Sequence, residues 1–126
     1  MTHAVIAVVA DDLIWADRLR GLVAASGARV AMCRSLAELE AALPGVDAVL
    51  VDLSSRSFDP HVSIHRAALA SLRVLAIGPH DAHDVREQAR ASGAERVLAY
   101  RVVAESGREA IGRWLASVDA DGQTHG

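Results

Sequence analysis

Residues 4–12 read AVIAVVADD, a continuous run of apolar, partly β-branched residues that stops at two aspartates. A run without polar alternation that ends in a sharp change of polarity is typical of a strand buried on both faces of a sheet. Residues 46–52 read VDAVLVD and again stop at an acid. Two such strands predict a parallel sheet covered by helices on both faces, which places the chain in the α/β class.

Outward from these two runs, three further apolar runs occupy residues 28–33, 73–77 and 96–100, and cap signals or helical spacing of apolar residues follow each strand. Five alternating strand–helix units demand right-handed crossovers between parallel strands. We predict a flavodoxin-like (βα)5 doubly wound sheet, with five parallel strands in the order 2-1-3-4-5 and helices on both faces. One domain over residues 1–118 and a flexible C-terminal tail over 119–126 are expected.

Composition narrows the class of function. The longest apolar runs are far shorter than the roughly 20 residues of a membrane-spanning helix, so no membrane segment is expected. A net charge of −3 provides no broad cationic field, which argues against direct nucleic-acid binding. Cys33 is the only cysteine, so no internal disulfide forms and a reducing compartment, the cytoplasm, fits best.

Acidic residues follow the first and third strands. In the predicted sheet these two strands are neighbours, and ligands of such sheets collect beyond the carboxyl ends of strands where the strand order reverses. Asp11, Asp12 and Asp52 would meet there, and their like charges would favour a cation such as Mg2+. The alternative is that these acids are turn and cap residues, with Asp12 capping the first helix.

These segments resemble the receiver domains of two-component response regulators. Residues 8–12 (VVADD) look like the acidic motif after the family's first strand, and residues 46–52 look like the segment whose last aspartate accepts a phosphoryl group from a histidine kinase. Residues 93–96 (GAER) resemble the turn before the fifth strand. The likeness implies that Asp52 is the phosphoacceptor, that Asp11 is the principal Mg2+ ligand, and that the partners are signalling proteins such as a histidine kinase or an output protein.

Several residues depart from the family pattern. Ala10 stands where the family carries the first acid of its pair, so that either Asp11 or Asp12 would hold the cation. Gly78 replaces the serine or threonine that contacts the phosphoryl group, and Val97 replaces the aromatic residue that moves on activation. Tyr100 and Arg101 stand where the family has a lysine followed by proline, and the chain contains no lysine. Arg101 is a candidate for the missing charge, although a guanidinium differs in shape from an ammonium.

The combined pattern indicates an atypical receiver, not an enzyme, that acts through protein–protein contacts with impaired or absent phosphorylation of Asp52. One rival is a functional phosphoacceptor in which Mg2+ is retained and Arg101 or a water replaces the lysine. A second rival is a small ligand-binding protein or enzyme that uses the same crevice at the sheet end.

Two lesser features remain. Charges of alternating sign, from Arg86 to Arg113, cross the last helices and strand five, and that face resembles a partner or dimerisation surface, so a homodimer is one expectation and a merely solvated face the other. The pairs His61 with His65 and His80 with His83 have spacings that suit a metal, but neither has an obvious third ligand, and solvated histidines are favoured.

Overall fold

The computed structural model describes residues 4–125, with side chains described as far as residue 121. Eleven elements follow one another along the chain: β1 (Val5–Val9), α1 (Leu13–Ala25), β2 (Arg29–Cys33), α2 (Leu36–Ala42), a 3-10 turn (Leu43–Gly45), β3 (Ala48–Asp52), α3 (Pro60–Leu69), β4 (Arg73–Gly78), α4 (His83–Ser92), β5 (Arg96–Ala99) and α5 (Tyr100–His125).

The strands form one parallel sheet in the order β2-β1-β3-β4-β5, which confirms the predicted doubly wound architecture. In the register of β1 with β3, Val9 lies opposite Val51, so the two strands end at the same edge of the sheet. Strand β3 is buried along its whole length, as the unbroken apolar run predicted.

Alternate strand residues feed two separate apolar cores, because successive side chains of a strand point to opposite faces. On one face Val8, Leu50 and Ile77 pack with residues of α1 and α5 such as Leu19 and Ile111. The opposite core includes Val9, Val51 and Ala76 from the strands, together with Leu39, Ile64 and Ala89 from α2, α3 and α4. The sheet is therefore covered on both sides, with two helices on one face and three on the other.

Side-chain caps fix where three of the helices begin. The side chains of Asp12, Ser35 and Asp59 accept hydrogen bonds from the backbone N–H groups of Trp15, Glu38 and His61 at the starts of α1, α2 and α3. Caps of this kind satisfy donors that the first helical turn leaves unpaired. Glu38 also accepts the backbone N–H of Arg34, and Pro60 follows the Asp59 cap as the first residue of α3.

Helix α5 differs from its prediction at both ends. Tyr100, expected as the last residue of the fifth strand, is instead the first residue of the helix, and Ser106 interrupts it with φ −139° and ψ 30°. Beside this kink Gly107 lies so close to α1 that a Cβ there would stand 2.8 Å from Leu22 Cδ1. The helix continues past residue 118 to His125. The flexibility proposed for residues 119–126 stays a prediction, and residue 126 lies outside the described residues.

No helix within residues 4–125 is long and apolar enough to cross a membrane.

Candidate functional site

Asp52 lies at the carboxyl end of β3 with its side chain fully buried. Its Oδ1 accepts hydrogen bonds from the backbone N–H of Ser54 at 3.0 Å, from the Ser54 hydroxyl at 2.9 Å and from the Tyr100 hydroxyl. The second oxygen, Oδ2, is buried without a hydrogen-bond partner. One carboxylate oxygen is thus saturated by internal donors, while the other is enclosed by protein.

Tyr100 reaches Asp52 from the far side of β4. It follows β5 directly, and β5 is separated from β3 by one strand, so a long side chain is needed to bring a donor to the carboxylate. The Tyr100 ring packs against Trp15 of α1, with ring centroids 4.5 Å apart and planes tilted by 33°. Burial, together with the hydrogen bond to Asp52, raises the pKa of Tyr100 well above its usual range. The phenol is consequently a permanent neutral donor at ordinary pH.

Asp11 lies at the same edge but faces the loop between β3 and α3, residues 53–59. Its Oδ2 accepts hydrogen bonds from the backbone N–H groups of Arg56 at 2.7 Å and Ser57 at 2.5 Å. Burial alone would raise the pKa of Asp11, but the hydrogen bonds from Ser57 and Arg56 outweigh it and hold the pKa below its usual value. Both acids therefore hold the same loop: Asp52 accepts from Ser54 near its start, and Asp11 accepts from residues 56 and 57 farther along.

Asp12 has the local role that the sequence left open as an alternative. Its Oδ1 accepts the backbone N–H of Trp15 at 2.9 Å, and the residue is exposed. Ala10, beside it, is fully buried and donates its backbone N–H to the Cys33 carbonyl at 3.1 Å. Neither residue adds a carboxylate to the pocket that contains Asp52.

These contacts decide whether the acids fit the Mg2+ ion that the resemblance implies. The partnerless Oδ2 of Asp52 is one available oxygen, but Asp52 Oδ1, Asp11 Oδ2 and Asp12 Oδ1 already accept hydrogen bonds. Across the part of the chain that the structure describes, no group of three or more His, Cys, Asp or Glu side chains is arranged to hold a metal ion. Mg2+ usually keeps several waters and binds through one or two carboxylates, so the unpartnered Oδ2 of Asp52 is the oxygen of this acid that would hold it, and the ligand set of Asp11, Asp12 and Asp52 stays a prediction.

The two strand ends beyond Asp52 carry no group of the family's switch. Gly78 ends β4, and a Cβ at this position would stand 2.8 Å from Cδ1 of Leu53, whose side chain is itself 8% exposed. Leu53 thus occupies the space that a serine or threonine side chain would need. Val97 is buried in β5, and its carbonyl accepts a hydrogen bond from Arg86 Nη2 at 3.2 Å. Arg101 is exposed on α5, whereas its neighbour Tyr100 contacts the acid.

The predicted histidine pairs do not converge on this site. His83 lies 3.4 Å from Glu87 on α4, an exposed i,i+4 pair. His61 and His65 belong to α3, and within the described residues neither pair forms part of a metal-ligating group.

Two residues of the pocket were missed at the level of sequence. Ser54 donates to Asp52, and the Trp15 ring contacts that of Tyr100. Tyr100 had been noted solely as a departure. Its position at the end of a strand on the same edge as Asp52 was the signal that a long donor there could reach the acid.

No family model and no curated protein matches the chain by sequence. Solved structures do match its fold. NtrX from Brucella abortus superposes with a TM-score of 0.78 at 17% identity, over 98% of this chain and 29% of NtrX, so the chain spans less than a third of that protein. A CheY-like response regulator receiver domain protein from Methanospirillum hungatei gives 0.78 at 14% identity, covering 95% of this chain and 99% of that one. A response regulator receiver domain protein from Clostridium thermocellum gives 0.79 at 16% identity, covering 98% and 99%.

Proposed function

The chain has the fold of response-regulator receiver domains, and we propose that it is an atypical receiver module of two-component signalling whose acceptor pocket is closed from within. It acts through protein–protein contacts with a histidine kinase or an output protein and performs no catalytic turnover. The buried free cysteine fits work in the reducing cytoplasm.

A single observation carries the proposal: the Tyr100 hydroxyl donates to the buried carboxylate of Asp52. An aspartate that accepts a phosphoryl group must present an oxygen lone pair to phosphorus, with a cation nearby to offset the phosphoryl charge. Here Oδ1 already accepts from Tyr100 and Ser54, and Oδ2 is enclosed. A neutral phenol at the position of the family's lysine satisfies the acid without adding positive charge.

The surroundings support a pocket with one state. A switching receiver needs a donor on β4 that follows the phosphoryl group, but Leu53 packs over Gly78 in that position. The loop of residues 53–59 is held by Asp11 at Arg56 and Ser57 as well as by Asp52. Because the donor that would move is absent and the loop is held in place, we expect the surface that partners bind to keep one conformation.

Chemical phosphorylation tests the proposal. Intact mass is measured after incubation with acetyl phosphate and Mg2+, alongside a standard receiver domain that takes up phosphate under the same conditions. We expect no stoichiometric phosphate on the wild-type chain. The matched control is Asp52→Asn, which keeps the side-chain shape. Phosphate that appears on the wild type and is lost in Asp52→Asn would overturn the closed pocket and favour the functional phosphoacceptor.

A further inference from the structure

Tyr100 contacts an aromatic residue of α1 and also packs against the core on that face of the sheet. Tyr100 is half-buried, and its ring lies 4.5 Å from that of Trp15, centroid to centroid. Without such a contact a tyrosine that follows a strand end would have other rotamers available, several of which point to solvent. In the structure the ring makes this contact while its hydroxyl donates to Asp52.

Trp15 is itself fixed by two neighbours in its own helix. Its backbone N–H donates to the Asp12 cap at 2.9 Å, and the Arg18 guanidinium carbon lies 5.2 Å from its ring centroid. A guanidinium at this distance from an indole is attracted by the ring quadrupole. Asp12, which sequence reasoning placed among metal ligands, thus sets the start of the helix that carries Trp15.

We propose that Trp15 is the positioning residue of an autoinhibitory latch, in which its indole keeps the Tyr100 side chain inserted over Asp52 and so keeps the acid inaccessible. The inference rests on the proposed function, since it concerns what holds the same pocket closed. An aromatic pair shifts a two-state equilibrium by up to about tenfold. Removing the indole face therefore releases the phenol for a measurable fraction of time, even though the hydrogen bond to Asp52 is still available.

Carboxyl labelling measures the state of the latch directly. A water-soluble carbodiimide with glycine ethyl ester modifies accessible carboxylates, and peptide mass mapping reports the extent at Asp52 relative to Asp17, whose side chain is 73% exposed. The wild type is expected to label at Asp17 and hardly at Asp52. Tyr100→Ala, which removes the latch, provides the open reference. Trp15→Leu, which keeps apolar bulk without a π face, is expected to raise Asp52 labelling about tenfold, whereas Trp15→Phe stays near the wild-type level.

A second readout uses the fact that Tyr100 is the only tyrosine of the chain. Its ionisation, followed by ultraviolet absorbance, is expected at lower pH in Trp15→Leu than in the wild type, because the released phenol is solvated and away from Asp52. Far-ultraviolet circular dichroism and a cooperative thermal unfolding transition show that each variant is folded. Trp15→Met replaces Trp15→Leu if the leucine variant does not fold.

Each outcome decides between the two proposals. If Tyr100→Ala opens the pocket while Trp15→Leu labels like the wild type, Tyr100 stays in place unaided and the latch inference is overturned, but the closed pocket stands. If wild-type Asp52 labels as readily as Asp17, the closed pocket fails as well. If Tyr100→Ala leaves Asp52 unlabelled, Tyr100 is not the barrier and the role of Trp15 falls with it.

Discussion

At the scale of single residues, the Tyr100 hydroxyl matters because its proton is the donor to Asp52. Ionisation would remove that donor and place a phenolate beside a carboxylate, which is why burial and Asp52 raise its pKa. In the unfolded chain a tyrosine ionises near pH 10. Above that pH the unfolded state loses a proton that the folded state retains, so stability is fully present below about pH 10 and falls as the pH rises further.

We predict that Tyr100→Phe destabilises the fold by about 1–3 kcal/mol at neutral pH, because Asp52 keeps its burial but loses a donor. The alkaline loss of stability expected of the wild type should be smaller in this variant, and the part that remains is expected from Cys33, because burial raises the pKa of its thiol to about 11. Urea unfolding, monitored by circular dichroism between neutral and alkaline pH, tests both points. An equal alkaline decline in the two proteins would show that a group other than Tyr100 is responsible.

Asp11 is the second residue whose protonation state is tied to the loop. Its pKa is held below the usual value, so its contribution to stability is present above the ordinary carboxyl pKa of 3.8 and is lost as the pH falls through the lower folded-state value. Asp11→Asn retains one acceptor oxygen but removes the charge that strengthens the bonds to Arg56 and Ser57.

We expect Asp11→Asn to lower stability by about 1 kcal/mol at neutral pH and to speed hydrogen exchange at residues 56 and 57. Asp17→Asn is the matched control, because Asp17 is an exposed carboxylate that contacts Arg20 on the surface of α1. Its exchange pattern in the loop should equal that of the wild type. If hydrogen exchange at residues 56 and 57 is unchanged in Asp11→Asn, the hydrogen bonds from these residues to Asp11 do not hold the loop.

At the scale of elements, the turn between α4 and β5 depends on a glycine conformation that other residues rarely adopt. Gly93 has φ +128°, and a Cβ there would stand 2.5 Å from the Ala68 side chain of α3. Both the backbone strain and the clash act against any substitution. In contrast, Gly21 lies inside α1 with nothing within 4 Å of its would-be Cβ.

These two glycines form a matched pair for measurement. Gly93→Ala is expected to destabilise the fold by about 1–3 kcal/mol, and Gly21→Ala to stabilise it by about 0.5–1 kcal/mol through helix propensity. Thermal and urea unfolding of both variants measure whether the free energy of unfolding falls in Gly93→Ala and rises in Gly21→Ala. If Gly93→Ala leaves the free energy of unfolding unchanged, then α3 and the turn accommodate the added methyl group without loss of stability.

The elements also show where sequence patterns reach their limit. Buried parallel strands are readable because they need unbroken apolar runs, and β1 and β3 lie where those runs predicted them. The start of α5 was placed wrongly, because Tyr100 continues an apolar run and nothing local marks the change from strand to helix. The kink at Ser106 lies beside the close approach of Gly107 to Leu22, a tertiary contact that no local pattern contains.

At the scale of the whole molecule, the order of the strands could be predicted from the sequence, whereas the hydrogen-bond partners of the site residues could not. Strand order follows from alternation and handedness, and it is enough to bring Asp11 and Asp52 to one edge. Their hydrogen-bond partners are distant in sequence. Tyr100 donates to Asp52 across 48 positions, and Ser57 donates to Asp11 across 46. Such contacts leave no periodic trace, so the sequence did not show that one oxygen of Asp11 and one of Asp52 accept hydrogen bonds from distant donors.

Self-association through α4, β5 and α5 is the remaining prediction at this scale. The exposed residues of this face carry both charges, with Arg90, Arg96, Arg101, Arg108 and Arg113 among Glu87, Glu105 and Glu109. In a two-fold dimer through this surface the same patch of both copies meets, so arginines of one copy would have glutamates of the other to pair with. Exposed pairs contribute only about 0.2–1 kcal/mol each, so several together support a weak dimer.

We therefore expect sedimentation velocity to show a concentration-dependent dimer at low ionic strength that dissociates as salt rises, since the screening length falls to about 10 Å at 0.1 M. Arg108→Glu should weaken the dimer, because it reverses one of the exposed arginine charges of this face. Arg20→Glu, on α1 and so outside α4, β5 and α5, changes the net charge equally and should leave association as in the wild type. A monomer at every concentration and low salt would leave this charged face merely solvated, and equal weakening by both substitutions would assign the effect to net charge instead of to α4, β5 and α5.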